Sequence, residues 1–122
     1  MTSPERKCFT DAQLLQQQIE AKEKQIIELC DKLKNTLLLK SKGYRNSVLK
    51  SPILAPHLPP GIGIDIRMSD KIERIISLTA NPDPMAERME SLNDTYLDLA
   101  GYCILKTIQL RMEHPDYKLN QE

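Results

Sequence analysis

The sequence predicts an all-α fold: a small bundle of three to five helices with a long N-terminal helix and a Pro/Gly-rich loop, expected to oligomerise. Three observations predict it. Apolar residues recur at steps of three, four and seven through most of the chain, no segment alternates as a half-buried strand would, and prolines and glycines crowd into one central stretch. A length of 122 residues is that of one domain. Its expected parts are an oligomerising helix within 1–43, a loop at 44–63, site-bearing helices at 64–113 and a tail at 114–122.

Residues 1–9 read as a frayed leader. From Asp11 the pattern is helical, with Leu15, Ile19, Ile26, Leu29, Leu33 and Leu37 separated by Gln, Glu and Lys. Thr10 or Asp11 suits the N-cap, Lys40 and Lys42 suit the carboxyl end, and Gly43 is the expected stop. A helix of about 30 residues is roughly 45 Å long. That exceeds the width of a small domain, so its apolar stripe is expected to meet a second copy as well as its own chain.

Pro52, Pro56, Pro59 and Pro60, followed by Gly61 and Gly63, then forbid regular helix. A second helix is expected from near Ile64 or Ser69 to about Thr79, with Ile72, Ile75, Ile76 and Leu78 as its apolar face. Asp83 and Pro84 give a capping acid and a first-turn proline for a third helix running to about Glu113, with a possible break near Glu90 and Ser91. Its buried stripe is expected to be Met85, Met89, Leu92, Tyr96, Leu99, Cys103 and Leu110.

Composition limits the function classes. Seventeen basic and seventeen acidic residues cancel, which removes the global field that draws a chain onto nucleic acid, and no direct nucleic-acid binding is expected. No apolar run approaches the ~20 residues of a membrane span, and no apolar stretch follows the first Met, so a cytoplasmic location and no membrane partner are expected. With one Phe and no Trp, the core must come from Leu and Ile, with Met filling gaps. Three cysteines, Cys8, Cys30 and Cys103, lack CxxC spacing and form no disulfide or zinc pattern. Cys30 and Cys103 fall in helical patterns and are expected to act as small core residues. His57 and His114 are far apart and have no partner spacing, and the Gly61-Ile62-Gly63 run lacks the Lys-Ser/Thr of a phosphate loop.

The pattern with most chemical content lies on the third helix, where Glu90, Asp94 and Asp98 stand at successive four-residue steps. Side chains so spaced share one helix face and repel one another unless a positive partner faces them. A hard cation such as Mg²⁺ is one such partner. From the second helix, Asp70 and Glu73 add carboxylates, while Arg67, Lys71 and Arg74 offer cations suited to phosphate oxygens. The plainer reading is a solvated acidic face, neutralised by those same basic residues. Asp94 and Asp98 alternate with Tyr96, Leu97 and Leu99, which favours a partner over bulk water. Tyr44 and Tyr102 suit either base stacking or a core position with a hydrogen-bonded hydroxyl. Ser69 reads as a helix cap rather than a nucleophile, since no His lies near it in the sequence.

Arg67-Met68-Ser69-Asp70-Lys71-Ile72-Glu73-Arg74, followed by Glu90-Ser91-Leu92-Asn93-Asp94-Thr95-Tyr96-Leu97-Asp98-Leu99-Ala100-Gly101-Tyr102, resembles the nucleotide-modification-associated domain of phages and bacteria. That family's pattern is an Arg-x-x-Asp-Lys-x-x-Arg helix and then an Asp-Thr-x-x-Asp-Leu-Ala-x-Tyr helix. The Lys42-Gly43-Tyr44 segment is similar to its upstream Lys-x-x-Tyr element, and the likeness covers roughly residues 40–110. Such domains are in turn similar to MazG-like all-α nucleoside triphosphate pyrophosphohydrolases. The resemblance implies a Mg²⁺-dependent nucleotide pyrophosphohydrolase-like domain acting on nucleoside triphosphates, in a cytoplasm that for a phage protein is the host's; assembly as a dimer or larger homo-oligomer is the expectation from the long N-terminal helix. By that resemblance Asp94 and Asp98 are metal ligands, Asp70 a further acidic contributor to the metal site, and Lys71 and Arg74 phosphate contacts. Arg67, on the same helix, is a further candidate phosphate contact, and Glu73 or Glu90, without a metal duty, is the candidate to orient the attacking water. The chain departs from the MazG pattern in lacking Glu-Glu-x-x-Glu; Asp70-x-x-Glu73 is its nearest equivalent. Two alternatives therefore stand beside a hydrolase: a nucleotide-sequestering binder without turnover, and a helical oligomeric interaction protein.

Overall fold

A computed structural model describes residues 8–44, 47–80 and 85–114, the side chains of Tyr44, Ser47 and residues 85–88 excepted. Among them are three α-helices and no strand: α1 (Asp11–Tyr44), α2 (Ile62–Ala80) and α3 (Met85–Glu113), with a 3₁₀ turn at Ser47–Leu49. The all-α expectation holds, with the helix count at the low end of its range. Two compact units divide the chain, residues 1–36 and 37–122.

The first unit is essentially the amino-terminal part of α1. Thr10 caps it. The Gln13 amide donates to Thr10 Oγ1 at 3.1 Å, and the Thr10 amide donates back to Gln13 Oε1 at 2.8 Å. This reciprocal box satisfies two backbone donors that the first helical turn cannot pair internally. At 34 residues, α1 is about 51 Å long. Gly43 does not stop it; the helix passes through that glycine to Tyr44. Glycine inside a helix costs only about 1 kcal/mol relative to Ala, too little to end a helix unaided. Leu15, Ile26 and Leu29 on the predicted stripe are exposed, as is Cys30, which is therefore no core residue.

In the second unit, tight turns carry the Pro/Gly-rich stretch toward α2. Ala55 N donates to Pro52 O at 3.1 Å, Leu58 N to Ala55 O at 3.0 Å, and Ile62 N to Pro59 O at 3.3 Å. The first turn holds Ile53 and Leu54 almost fully in solvent. Gly61 closes the series with φ +84°, a left-handed conformation that costs other residues about 1–2 kcal/mol. Its carbonyl accepts from Ile64 N at 3.1 Å as α2 begins, two residues before the earlier of the two expected starts.

α2 and α3 pack antiparallel: Asp65 meets Lys106, and further along α2, Lys71 meets Asp98, which is earlier on α3. On α2 the inward line is Ile64, Met68, Lys71, Ile75 and Leu78, at steps of four and three. On α3 it is Leu92, Thr95, Leu99, Tyr102, Lys106 and Gln109, at steps of three and four. Both spacings keep one face toward a neighbouring helix.

This face matches the expected one in part: Ile75 and Leu78 of α2 and Leu92 and Leu99 of α3 lie on it as expected, and the rest differs. Ile72 and Ile76 of α2 are exposed, as are Met89, Tyr96, Cys103 and Leu110 of α3. The contact line on α3 is turned toward Thr95, Lys106 and Gln109. Thr95 enters it because its hydroxyl donates to Ser91 O at 2.6 Å and needs no outside partner. Lys106 enters because a lysine stem lies along apolar surface while its ammonium reaches a carboxylate. α3 is unbroken at Glu90 and Ser91. Asp83 and Pro84, its expected start signal, and the Met85 side chain lie outside the described residues.

Candidate functional site

The residues singled out in the sequence sit on the α2–α3 hairpin, apart from Tyr44 at the end of α1, whose side chain is outside the described set. Since α3 runs unbroken from Met85 to Glu113, Glu90, Asp94 and Asp98 do occupy successive turns of one face. Glu90 and Asp94 are exposed, and Asp98 is half-buried. On α2, Arg67, Asp70, Glu73 and Arg74 are exposed and Lys71 is half-buried. Tyr102 is half-buried on the inward line of α3.

Packing brings two of these residues together. Lys71 Nζ lies 3.2 Å from Asp98 Oδ2 across the hairpin, the Lys side chain 28% and the Asp side chain 42% exposed. Asp98 was expected to face a partner because of its place near the apolar stripe, and its partner is the lysine one motif upstream. A half-exposed pair of this kind contributes up to about 1 kcal/mol and weakens as salt rises. Lys71 is thereby committed to a carboxylate rather than left projecting toward solvent, and one oxygen of Asp98 is covered.

A second bridge was not anticipated. Lys106 Nζ stands 3.0 Å from both Asp65 Oδ1 and Asp65 Oδ2. The two bridges place a lysine of each helix against an aspartate of the other, two turns apart. Antiparallel register alone decides such pairs, so no local spacing signals them. Ser69 is also corrected: it lies within α2, where its Oγ donates to Asp65 O at 2.9 Å, and it caps nothing.

Gln109 is a further residue that sequence reasoning passed over. It is 3% exposed, and its Oε1 is buried with no hydrogen-bond partner among the described residues. Gly61 lies against it, and a Cβ built on Gly61 would stand 2.6 Å from Gln109 Cγ. The absence of a side chain at Gly61 makes room for the amide.

Among the described residues, no three His, Cys, Asp or Glu side chains gather into a group able to hold a metal ion. Asp70 and Asp94 are both exposed and Asp98 is tied to Lys71. No described helix is long and apolar enough to cross a membrane. Comparisons with family models, with characterised proteins and with solved structures found no match to this chain.

Proposed function

We propose that the protein acts as a helical assembly module that completes its apolar faces against further copies of itself. One observation carries this reading. Among the described residues only Ile64 and Leu92 are buried large hydrophobic side chains, whereas eighteen large hydrophobic side chains are exposed. A folded domain gains stability mainly by removing apolar surface from water, at roughly 25 cal/mol per Å². Two buried side chains and a line of half-buried ones on the α2–α3 hairpin leave much apolar surface in water, while ordering the backbone costs of order 1–2 kcal/mol per residue. The exposed residues are also patterned. Met89, Tyr96 and Leu110 lie at multiples of seven along α3, so they form one stripe that the hairpin leaves uncovered. Contiguous apolar stripes on small proteins mark association surfaces.

Sedimentation equilibrium from low to high micromolar concentration, with thermal unfolding at the same concentrations, tests the proposal. An assembly gains stability as concentration rises, because association draws on the folded state alone. A protein that is monomeric at about 100 µM, with a midpoint independent of concentration, would remove this reading.

A second reading is handling of a nucleoside triphosphate with Mg²⁺ on the α2–α3 face, by turnover or by sequestration. What supports it is the juxtaposition of the two motifs that carry the resemblance, with Lys71 of one in contact with Asp98 of the other. In this reading Asp70, Asp94 and Asp98 are the named metal ligands and Arg67, Lys71 and Arg74 the phosphate contacts, Lys71 exchanging its bridge to Asp98 for a phosphate oxygen when the ligand binds. Glu73 and Glu90 remain the candidates to orient water, and Tyr44 and Tyr102 to stack on a base. Thermal stability against nucleoside mono-, di- and triphosphates, with and without Mg²⁺, tests it. A stabilisation that needs both Mg²⁺ and a triphosphate supports the reading, and no shift with any nucleotide rejects it.

A further inference from the structure

We infer that the N-terminal part of α1 pairs with α1 of a second copy as a parallel, in-register, two-stranded coiled coil over residues 12–36. This rests on the assembly reading above and assigns it a partner, an orientation and a register.

The register can be read directly along the helix. Ala12, Ile19, Ile26 and Leu33 recur every seven residues, and Leu15, Lys22, Leu29 and Thr36 recur every seven residues three places later. These are the a and d positions of about three and a half heptads, the length at which such a pattern becomes diagnostic. α1 is continuous across the whole span, with no kink residue to interrupt the seam. Leu15, Ile26 and Leu29 are 57%, 51% and 46% exposed, so apolar surface on the seam is uncovered.

Side-chain shape selects the number of strands. Isoleucine at a with leucine at d packs best in a parallel dimer, and Ile19 and Ile26 occupy a while Leu15 and Leu29 occupy d. Charge selects the register. Lys22 is the one charged residue on the seam. In a parallel in-register pair, a d side chain enters a hole bordered by the e position that follows the facing d residue. For Lys22 that residue is Glu23 of the second copy, and the reciprocal contact forms by symmetry. The flanking g and e′ positions pair Asp11 with Gln16, Gln18 with Glu23, Gln25 with Cys30 and Lys32 with Leu37, so no like charges face each other. A charged residue on an otherwise uncharged seam fixes register at some cost in stability. An antiparallel pair with the same overlap would instead layer Lys22 against Ile26 and Leu15 against Leu33.

Disulfide trapping of the full-length chain tests the inference, in a background carrying Cys8→Ser, Cys30→Ser and Cys103→Ser. Sedimentation of that background should give twice the chain mass of 14.0 kDa. Leu15→Cys alone, and Leu29→Cys alone, should each convert most of the protein to a covalent dimer under mild oxidant. A dimer in which neither single variant links to itself, but Leu15→Cys links to Leu33→Cys when the two are mixed, overturns the parallel orientation and leaves assembly standing. A trimer or larger species overturns the two-stranded inference alone. A monomer at about 100 µM removes the assembly reading and this inference together.

Discussion

Gly61 and Gln109 are fitted to each other: the left-handed glycine backbone, φ +84°, lies where any side chain would meet the Gln109 amide, with a Cβ 2.7 Å from Oε1. Gly61→Ala therefore meets two penalties, positive φ and overpacking, which together cost about 2 kcal/mol or more. Truncating the neighbour removes the second penalty. In a Gln109→Ala background, Gly61→Ala should cost about 1 kcal/mol less than in the native chain. Urea unfolding at one fixed chain concentration checks the cycle, and strict additivity would show that the crowding is relieved elsewhere.

Gln109 itself invites the opposite expectation. A buried, unpartnered amide oxygen carries a desolvation penalty of about 1–3 kcal/mol. Gln109→Met keeps the length of the side chain and removes the oxygen. The urea midpoint should stay level or rise, by up to about 1 kcal/mol in stability. A loss larger than that would mean the amide is hydrogen-bonded in solution, through water or an altered rotamer.

The relation between these two residues also shows what was legible in the sequence. The helical class, the approximate length of α1 and an N-cap at Thr10 or Asp11 follow from local chemistry, because periodicity and capping need only neighbouring residues. Which face of α3 turns inward does not. Hydrophobicity alone favours Met89, Tyr96, Cys103 and Leu110, yet the packed line uses Thr95, Lys106 and Gln109. Those choices depend on Asp65 lying across from Lys106 and on Gly61 lying over Gln109, pairings separated by more than forty residues. The acidic row was legible as a row, since four-residue spacing fixes a helix face. Its pairing with Lys71 was legible only as one option among three cations.

The Thr10–Gln13 box predicts a local effect on α1. Thr10→Ala removes the acceptor for the Gln13 amide, at a cost of about 1 kcal/mol. Far-ultraviolet circular dichroism should show lower helicity at intermediate temperature, where the end of α1 frays first. Replacement by Ser, which keeps the hydroxyl, should restore it. Equal helicity in all three proteins would show that the first turn is held by something other than this cap.

The Lys71–Asp98 pair separates the two functional readings. As a bridge alone it is worth at most about 1 kcal/mol, so Lys71→Met should lower stability slightly, and by less at 1 M salt. Asp98→Asn should have a similar effect, and the double variant should lose little more than either single one. Mg²⁺ adds the discriminating test. In the assembly reading, the unfolding midpoints of the native chain and of both variants are indifferent to Mg²⁺ and a triphosphate. In the nucleotide reading, Lys71→Met frees both oxygens of Asp98 for a cation and strengthens the response to Mg²⁺ alone. It also removes a phosphate contact and so weakens the added response to the triphosphate. Asp98→Asn should then abolish the Mg²⁺ response altogether. A ligand at a hundred times its dissociation constant stabilises by about 2.7 kcal/mol, a shift of several degrees, so these outcomes are well separated in one thermal-melt series.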